Sequence, residues 1–172
     1  KALKINYIPQ INKDGSIVGL KSLDSLIKRD TYENPVLLMA GGFGKRMMPL
    51  TKDTPKPLLK INDIPILEII INRFIKFGFK NFYVSTHYKS NLIKKYFGNG
   101  KKWNINIKYL EEKKPLGTAG SLQLIPKSDI KLPVLVINGD VLTNVNFKKL
   151  IKSHIKKNVA ATICVREESV KS

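Results

Sequence analysis

Apolar positions along this chain recur with two alternating periods, and that alternation predicts an α/β sheet. From residue 35 onward, short continuous apolar runs alternate with stretches whose apolar residues return every three or four positions. Val36-Leu37-Leu38-Met39 behind Pro35 is the first such run and reads as a buried strand. Residues 65–77 follow with Ile66, Ile69, Ile70, Phe74 and Phe77 at helical spacing, Pro65 suited to a first turn and Gly78 to the stop. Residues 81–86 predict a strand, 91–97 a helix and 105–110 a strand. Residues 117–125 predict a helix opened by a glycine turn, 133–138 a buried strand, 147–156 a basic amphipathic helix and 159–165 a further strand.

The beginning of the chain has a different pattern. Residues 3–8 and 17–20 read as two short strands around the turn Asn12-Lys13-Asp14-Gly15, and Ser22 can cap a short helix over 23–29. Residues 30–34 read as a linker. No internal repeat or low-complexity tract appears.

The first buried run empties into Ala40-Gly41-Gly42-Phe43-Gly44-Lys45-Arg46, with Lys56 further on in Pro55-Lys56-Pro57-Leu58. A glycine-rich loop after a strand brings backbone N–H groups close to a ligand, and fixed cations beside it favour an anion, above all phosphate. A Walker loop is excluded, because Met39 stands where its first glycine belongs and Arg46 where Ser or Thr belongs. The dinucleotide fingerprint is excluded too, because Met47 occupies the place of its third glycine.

The run Gly41-Gly42-Phe43-Gly44-Lys45-Arg46-Met47-Met48-Pro49-Leu50-Thr51, closed by Pro55-Lys56-Pro57-Leu58, resembles the signature of sugar-phosphate nucleotidyltransferases. Those enzymes make nucleotide-sugars from a nucleoside triphosphate and a sugar 1-phosphate. Two positions depart from their pattern, Lys45 in place of Thr or Ser and Met47 in place of Leu. Two further stations match the family. Leu116-Gly117-Thr118-Ala119-Gly120-Ser121, behind Glu111-Glu112, resembles the segment that lies against base and ribose, although a Gly-Thr pair also opens ordinary helices. Val134-Leu135-Val136-Ile137-Asn138-Gly139-Asp140 places a carboxylate at the carboxyl end of a strand, where open α/β sheets gather ligands. Asp140 is therefore either the family's Mg²⁺ ligand or a turn residue.

The resemblance implies an open, mainly parallel, Rossmann-like sheet flanked by helices, with Mg²⁺ as cofactor. It implies that Arg46 holds the triphosphate, Lys56 the α- or sugar phosphate, and Asp140 the metal. Ala40, Gly41, Gly42, Gly44 and Lys45 would line the phosphates, and Gly117, Thr118 and Ala119 the nucleoside. The base-side segment, together with a CBS-like segment upstream, most resembles guanylyltransferases acting on hexose or amino-sugar 1-phosphates; uridylyl-, thymidylyl- and cytidylyltransferases share the loop. A non-catalytic nucleotide-sensing homologue is the alternative. Family members carry a sugar pocket and a second metal carboxylate after the Asp140 region. Residues 35–172 are thus expected to be the N-terminal part of a domain truncated at its C-terminus and inactive in isolation. Residues 7–20 resemble the last half of a CBS motif, a small regulatory module, so 1–29 is expected to be a partial CBS-like segment; Asp24 stands one place early for that motif's ribose contact.

Composition narrows the partners. The chain of 172 residues is 42% hydrophobic, enough for one sizeable core, and carries a formal net charge of +18. The charge comes from lysines scattered along the chain, with only Arg29, Arg46, Arg73 and Arg166 as arginines, so no nucleic-acid partner is expected. No apolar run approaches the roughly 20 residues of a membrane span. The single cysteine, Cys164, sits in an apolar run and is expected to be a buried thiol, which points to a cytoplasmic protein. Homo-oligomer formation stays open. His87, just past a strand, is open to a base or sugar contact or to a loop hydrogen bond; His154 is expected on the surface. Trp103 is expected to pack.

Overall fold

Val36, Leu37 and Leu38 are fully buried, and their burial on both faces of one strand sets the architecture around them. The computed structural model describes residues 7–22, 31–117 and 119–165. It divides the chain into two compact units, Lys1–Thr31 and Tyr32–Ser172.

In the first unit β1 (Tyr7–Ile11) pairs antiparallel with β2 (Ile17–Ser22). The connecting turn is closed by Asp14, whose Oδ1 accepts from the Ser16 amide at 3.0 Å and from the Ser16 hydroxyl at 2.7 Å. Of the strand expected over 3–8, Tyr7 and Ile8 lie in β1, while residues 3–6 and the helix expected over 23–29 fall outside the described residues.

In the second unit β3 (Val36–Met39), β6 (Asn81–Thr86), β7 (Asn106–Glu111) and β8 (Leu135–Asn138) form a parallel sheet in the order β7-β6-β3-β8. Between β3 and β6 lie a small hairpin, β4 (Lys60–Ile61) with β5 (Ile64–Pro65), and α1 (Ile66–Lys76). Helix α2 (Ser90–Phe97) joins β6 to β7, and α3 (Phe147–Lys157) follows β8. Asn146 caps α3 by accepting from the Lys149 amide at 3.0 Å.

The three helices among the described residues bury their apolar faces against one side of the sheet. Leu67, Ile70, Ile71 and Phe74 of α1, Ile93 and Phe97 of α2, and Phe147 and Ile151 of α3 share a core with Val36, Leu38, Phe82 and Val84. Phe74 and Phe147 stack at 3.9 Å. The opposite face, carrying Leu37, Tyr83 and Leu110, is covered by Ile125 and Leu124 from short 3-10 turns. Handedness explains the division. The chain steps β3-β6-β7 in one direction with helices on one face, then returns past β3 to β8, and a right-handed crossover must use the other face. The strand order therefore reverses between β3 and β8, which opens a crevice at their carboxyl ends.

Three expectations are corrected. Residues 117–125 form no α-helix: Gly117 and Ala119 adopt left-handed φ of 72° and 62°, and only a 3-10 helix, Gly120–Leu124, follows. Residues 159–165 form no strand, because no described strand pairs with them; Ile163 and Val165 are 83% and 85% exposed. Cys164 in that run is an exposed free thiol. Among the described residues, no helix is long and apolar enough to cross a membrane.

Candidate active site

The crevice between the ends of β3 and β8 receives the glycine loop from one side and Gly139-Asp140 from the other. Parallel pairing carries past the strands themselves: the Ala40 amide donates to the Ser85 carbonyl at 3.0 Å, and the Gly139 amide to the Met39 carbonyl at 2.8 Å. These bonds hold the start of the loop and the approach to Asp140 beside each other.

The loop turns at Gly44, where φ is +65° and a Cβ would stand 2.8 Å from Thr51 Cγ2. Both the dihedral and the space call for glycine. Thr51, 1% exposed, folds back and donates from Oγ1 to the Gly44 carbonyl at 3.0 Å, closing the loop on itself. A 3-10 helix, Lys45–Met47, then presents Arg46 to solvent, while Lys45 Nζ lies 5.7 Å over the Phe43 ring.

The second cation arrives on another 3-10 helix, Lys56–Leu58, whose Pro57 is buried. Lys56 Nζ donates to Asp140 Oδ2, forming an ion pair between side chains that are each 32% exposed. Asp140 offers a single carboxylate, and among the described residues no cluster of three or more His, Cys, Asp or Glu could hold a metal alone. One or two carboxylates supplemented by substrate phosphates is the usual Mg²⁺ arrangement, so this residue set fits a cation that arrives with phosphates.

Glu112 belongs to the site and was not singled out from the sequence. It follows Glu111, and the two carboxylates diverge. Glu111 pairs with Lys94 of α2, a contact that holds its carboxyl below the usual range. Glu112 turns to the other face, where a Cβ at Gly41 would stand 2.9 Å from its Oε1, so the glycine leaves the carboxylate room beside the loop. Its Oε2 accepts from the Leu116 amide at 3.1 Å, binding the base-side segment to the same group. Strand alternation is the signal that separates the pair: Leu110, two residues earlier, faces the core on that same side.

Of the remaining expected residues, Ala119 donates its amide to Met39 Sδ at 3.1 Å, which brings the base-side segment to the end of β3. Gly42 has open space around it, Gly117 is exposed and Thr118 is outside the described residues. His87 makes the loop hydrogen bond: its Nδ1 lies 2.6 Å from the Glu112 carbonyl. His154 contacts Thr162 Oγ1 at 3.0 Å. Trp103 packs on Phe97 and donates to Glu68 at 3.1 Å.

A family profile described as Nucleotidyl transferase matches residues 35–172. The chain is 33% identical over 130 residues to the D-glycero-alpha-D-manno-heptose 1-phosphate guanylyltransferase of Aneurinibacillus thermoaerophilus, covering 76% of this chain and 56% of that protein. It is 39% identical over 114 residues to the enzyme of the same name from Campylobacter jejuni, covering 66% and 51%. Among solved structures, HddC from Yersinia pseudotuberculosis complexed with GMP-PN aligns with a TM-score of 0.63 at 29% identity, over 71% of this chain and 54% of that one. The chain spans about half the length of the curated relatives it matches.

Proposed function

Because the chain belongs to the nucleotidyl transferase family, we propose that the complete protein transfers a guanylyl group from GTP to a sugar 1-phosphate, releasing pyrophosphate and a GDP-sugar. The observation that carries this reading is the Lys56–Asp140 ion pair, which joins the second half of the loop motif to the carboxylate ending β8. A cation and a carboxylate that neutralise each other at the mouth of a phosphate loop can separate when phosphates and a divalent metal enter together.

In the proposed reaction an oxygen of the sugar 1-phosphate attacks the α-phosphorus of GTP. The bond from that phosphorus to the bridging oxygen breaks, and pyrophosphate leaves with the electron pair. The attacking oxygen is already ionised, so no general base is needed. The work of the protein is positioning and neutralising charge. Backbone groups of Ala40, Gly41, Gly42 and Gly44 line the triphosphate, with Lys45 beside them. Arg46, exposed at the loop's edge, holds the β- and γ-phosphates and the charge that develops on pyrophosphate. Lys56, released from Asp140, holds the α- or sugar phosphate. Asp140 would hold Mg²⁺, which when bound would act as a Lewis acid on the phosphate oxygens.

Gly117, Thr118 and Ala119 flank the nucleoside, and the guanine preference rests on Glu112. Guanine offers an N–H and an amino group side by side on its pairing edge, and an ionised carboxylate is acceptor-only. The Glu112 carboxylate, set between the phosphate loop and the base-side segment, complements those donors. Residues 1–29 remain proposed as a partial CBS-like segment on their motif letters; the family match begins after them.

Pyrophosphate release by the complete protein, crossing four triphosphates with a panel of sugar 1-phosphates, tests the reading. GTP is expected to give the highest kcat/KM, and E112Q to shift preference away from it. A tenfold preference for another triphosphate contradicts the guanine assignment, and no release with any pair contradicts the reaction.

A further inference from the structure

The short turn after β6, His87-Tyr88-Lys89, touches both halves of the nucleotide site. On one side it holds Glu112. The Glu112 amide donates to the Thr86 carbonyl at 2.9 Å, and the Glu112 carbonyl accepts from His87, 2.6 Å from Nδ1. Thr86 at the end of β6 and His87 at the start of the turn thus bind the N–H and the C=O of one residue, whose carboxylate lies against Gly41. A carbonyl only accepts, so His87 carries its proton on Nδ1 in this contact.

On the other side the same turn grips the phosphate loop. The Phe43 ring meets His87 edge-on at 5.2 Å and 85°, and meets Tyr88 at 5.6 Å. The Tyr88 hydroxyl donates to the Lys52 carbonyl at 3.3 Å, and Lys89 Nζ donates to that carbonyl as well. Phe43, between Gly42 and Gly44, is the one bulky side chain in a stretch of glycines and gives the turn something to hold. Within this turn His87 contacts both halves, with one ring atom on the Glu112 backbone and its ring on Phe43.

We propose that His87 is a positioning residue that locks the base-side segment to the phosphate loop and thereby sets the discrimination between guanine and other bases. This rests on the nucleotidyl-transfer reading above. His87 acts through Glu112 and Phe43, so its loss loosens the site that reads the base without removing a group from the reacting phosphates. The expected signature is a change in KM for GTP and in base preference, with kcat and the KM for sugar 1-phosphate retained.

The test uses the complete protein with three variants. H87L removes both the donor and the aromatic edge. H87F keeps the ring and removes the donor. H87N keeps an N–H donor near the position of Nδ1. Steady-state kinetics with GTP and ATP should show KM for GTP raised about 3- to 10-fold in H87L and H87F, the range one neutral hydrogen bond supplies. The GTP-over-ATP preference should narrow in proportion, and H87N should restore most of both. If H87L does not fold, the contrast between H87F and H87N carries the decision. Wild-type KM and preference in H87F overturn the proposal. So does equal impairment of H87F and H87N, which would mark a structural role, and so does a loss confined to kcat. Wild-type protein that transfers no nucleotide contradicts the underlying reading instead.

Discussion

Lys56 and Asp140 stand 84 residues apart in the chain, and their side chains form an ion pair at the carboxyl end of the sheet. Both are about one-third exposed, and exposed pairs contribute roughly 0–1 kcal/mol. The pair therefore does little for stability, and its two members should matter to transfer far more than to folding. K56A and D140N are expected to melt within a few degrees of wild type while losing most turnover, and added Mg²⁺ should recover D140N little. Melting curves beside initial rates at several Mg²⁺ concentrations check this. A D140N rate with unchanged Mg²⁺ dependence would return Asp140 to being a turn residue.

Arg46 is exposed and contributes nothing to the core, so R46A should fold normally. Removing one donor aimed at developing charge typically costs about 100- to 1000-fold in rate. The same loss is expected here, read as kcat with saturating GTP. Near wild-type turnover in a folded R46A protein would take Arg46 out of the triphosphate site.

Gly44 and Thr51 make the loop a closed unit, and each can be tested without touching a charge. G44A forces alanine to φ +65° and presses its Cβ against Thr51 Cγ2. The dihedral alone costs about 1–2 kcal/mol. T51V keeps the shape and leaves the Gly44 carbonyl without its hydroxyl partner, at about 1 kcal/mol. Denaturant melts and GTP affinity should both fall, more for G44A than for T51V. Unaltered GTP affinity in G44A would separate the loop's conformation from its binding.

Away from the crevice, Asp129 accepts from Lys108 at 2.7 Å and from the Tyr83 hydroxyl. The hydrogen bond from Lys108, followed by that from Tyr83, lowers the Asp129 pKa from 3.8 to about 2. A carboxyl depressed in the folded state adds stability above its unfolded pKa and loses it as pH falls through the folded one. The melting temperature of D129N should therefore lie below wild type at pH 7, and the gap should close between about pH 4 and pH 2. A gap independent of pH would mean the loss comes from geometry rather than from charge.

The parallel sheet was legible because its central strands, β3 and β6, are buried on both faces, which leaves apolar runs such as Val36-Leu37-Leu38 that little else explains. The helices were legible from their spacing, since Ile70 and Phe74 of α1 meet the core one turn apart. Residues 159–165 show the limit of such reasoning. Their letters favour a strand, yet a strand needs a partner for its backbone groups, and pairing is not written in local sequence. The segment after Leu116 was misread for a local reason, because Ala119 takes a left-handed φ of 62° that its side chain does not announce. In the candidate site, Arg46, Lys56 and Asp140 were visible as motif letters. Glu112 was not, because its role depends on facing away from Glu111 and toward a glycine that lies far off in sequence.

The proposed reaction moves the α-phosphoryl group together with its nucleoside, and labelled GTP distinguishes that from transfer of the γ-phosphate. The complete protein is incubated with Mg²⁺, a sugar 1-phosphate and GTP labelled at either the α- or the γ-phosphate, and the products are separated. The α-label is expected in a GDP-sugar and the γ-label in pyrophosphate, both lost in R46A and D140N. The γ-label on the sugar, or as free phosphate with GDP, would mean phosphoryl transfer or hydrolysis and would contradict it.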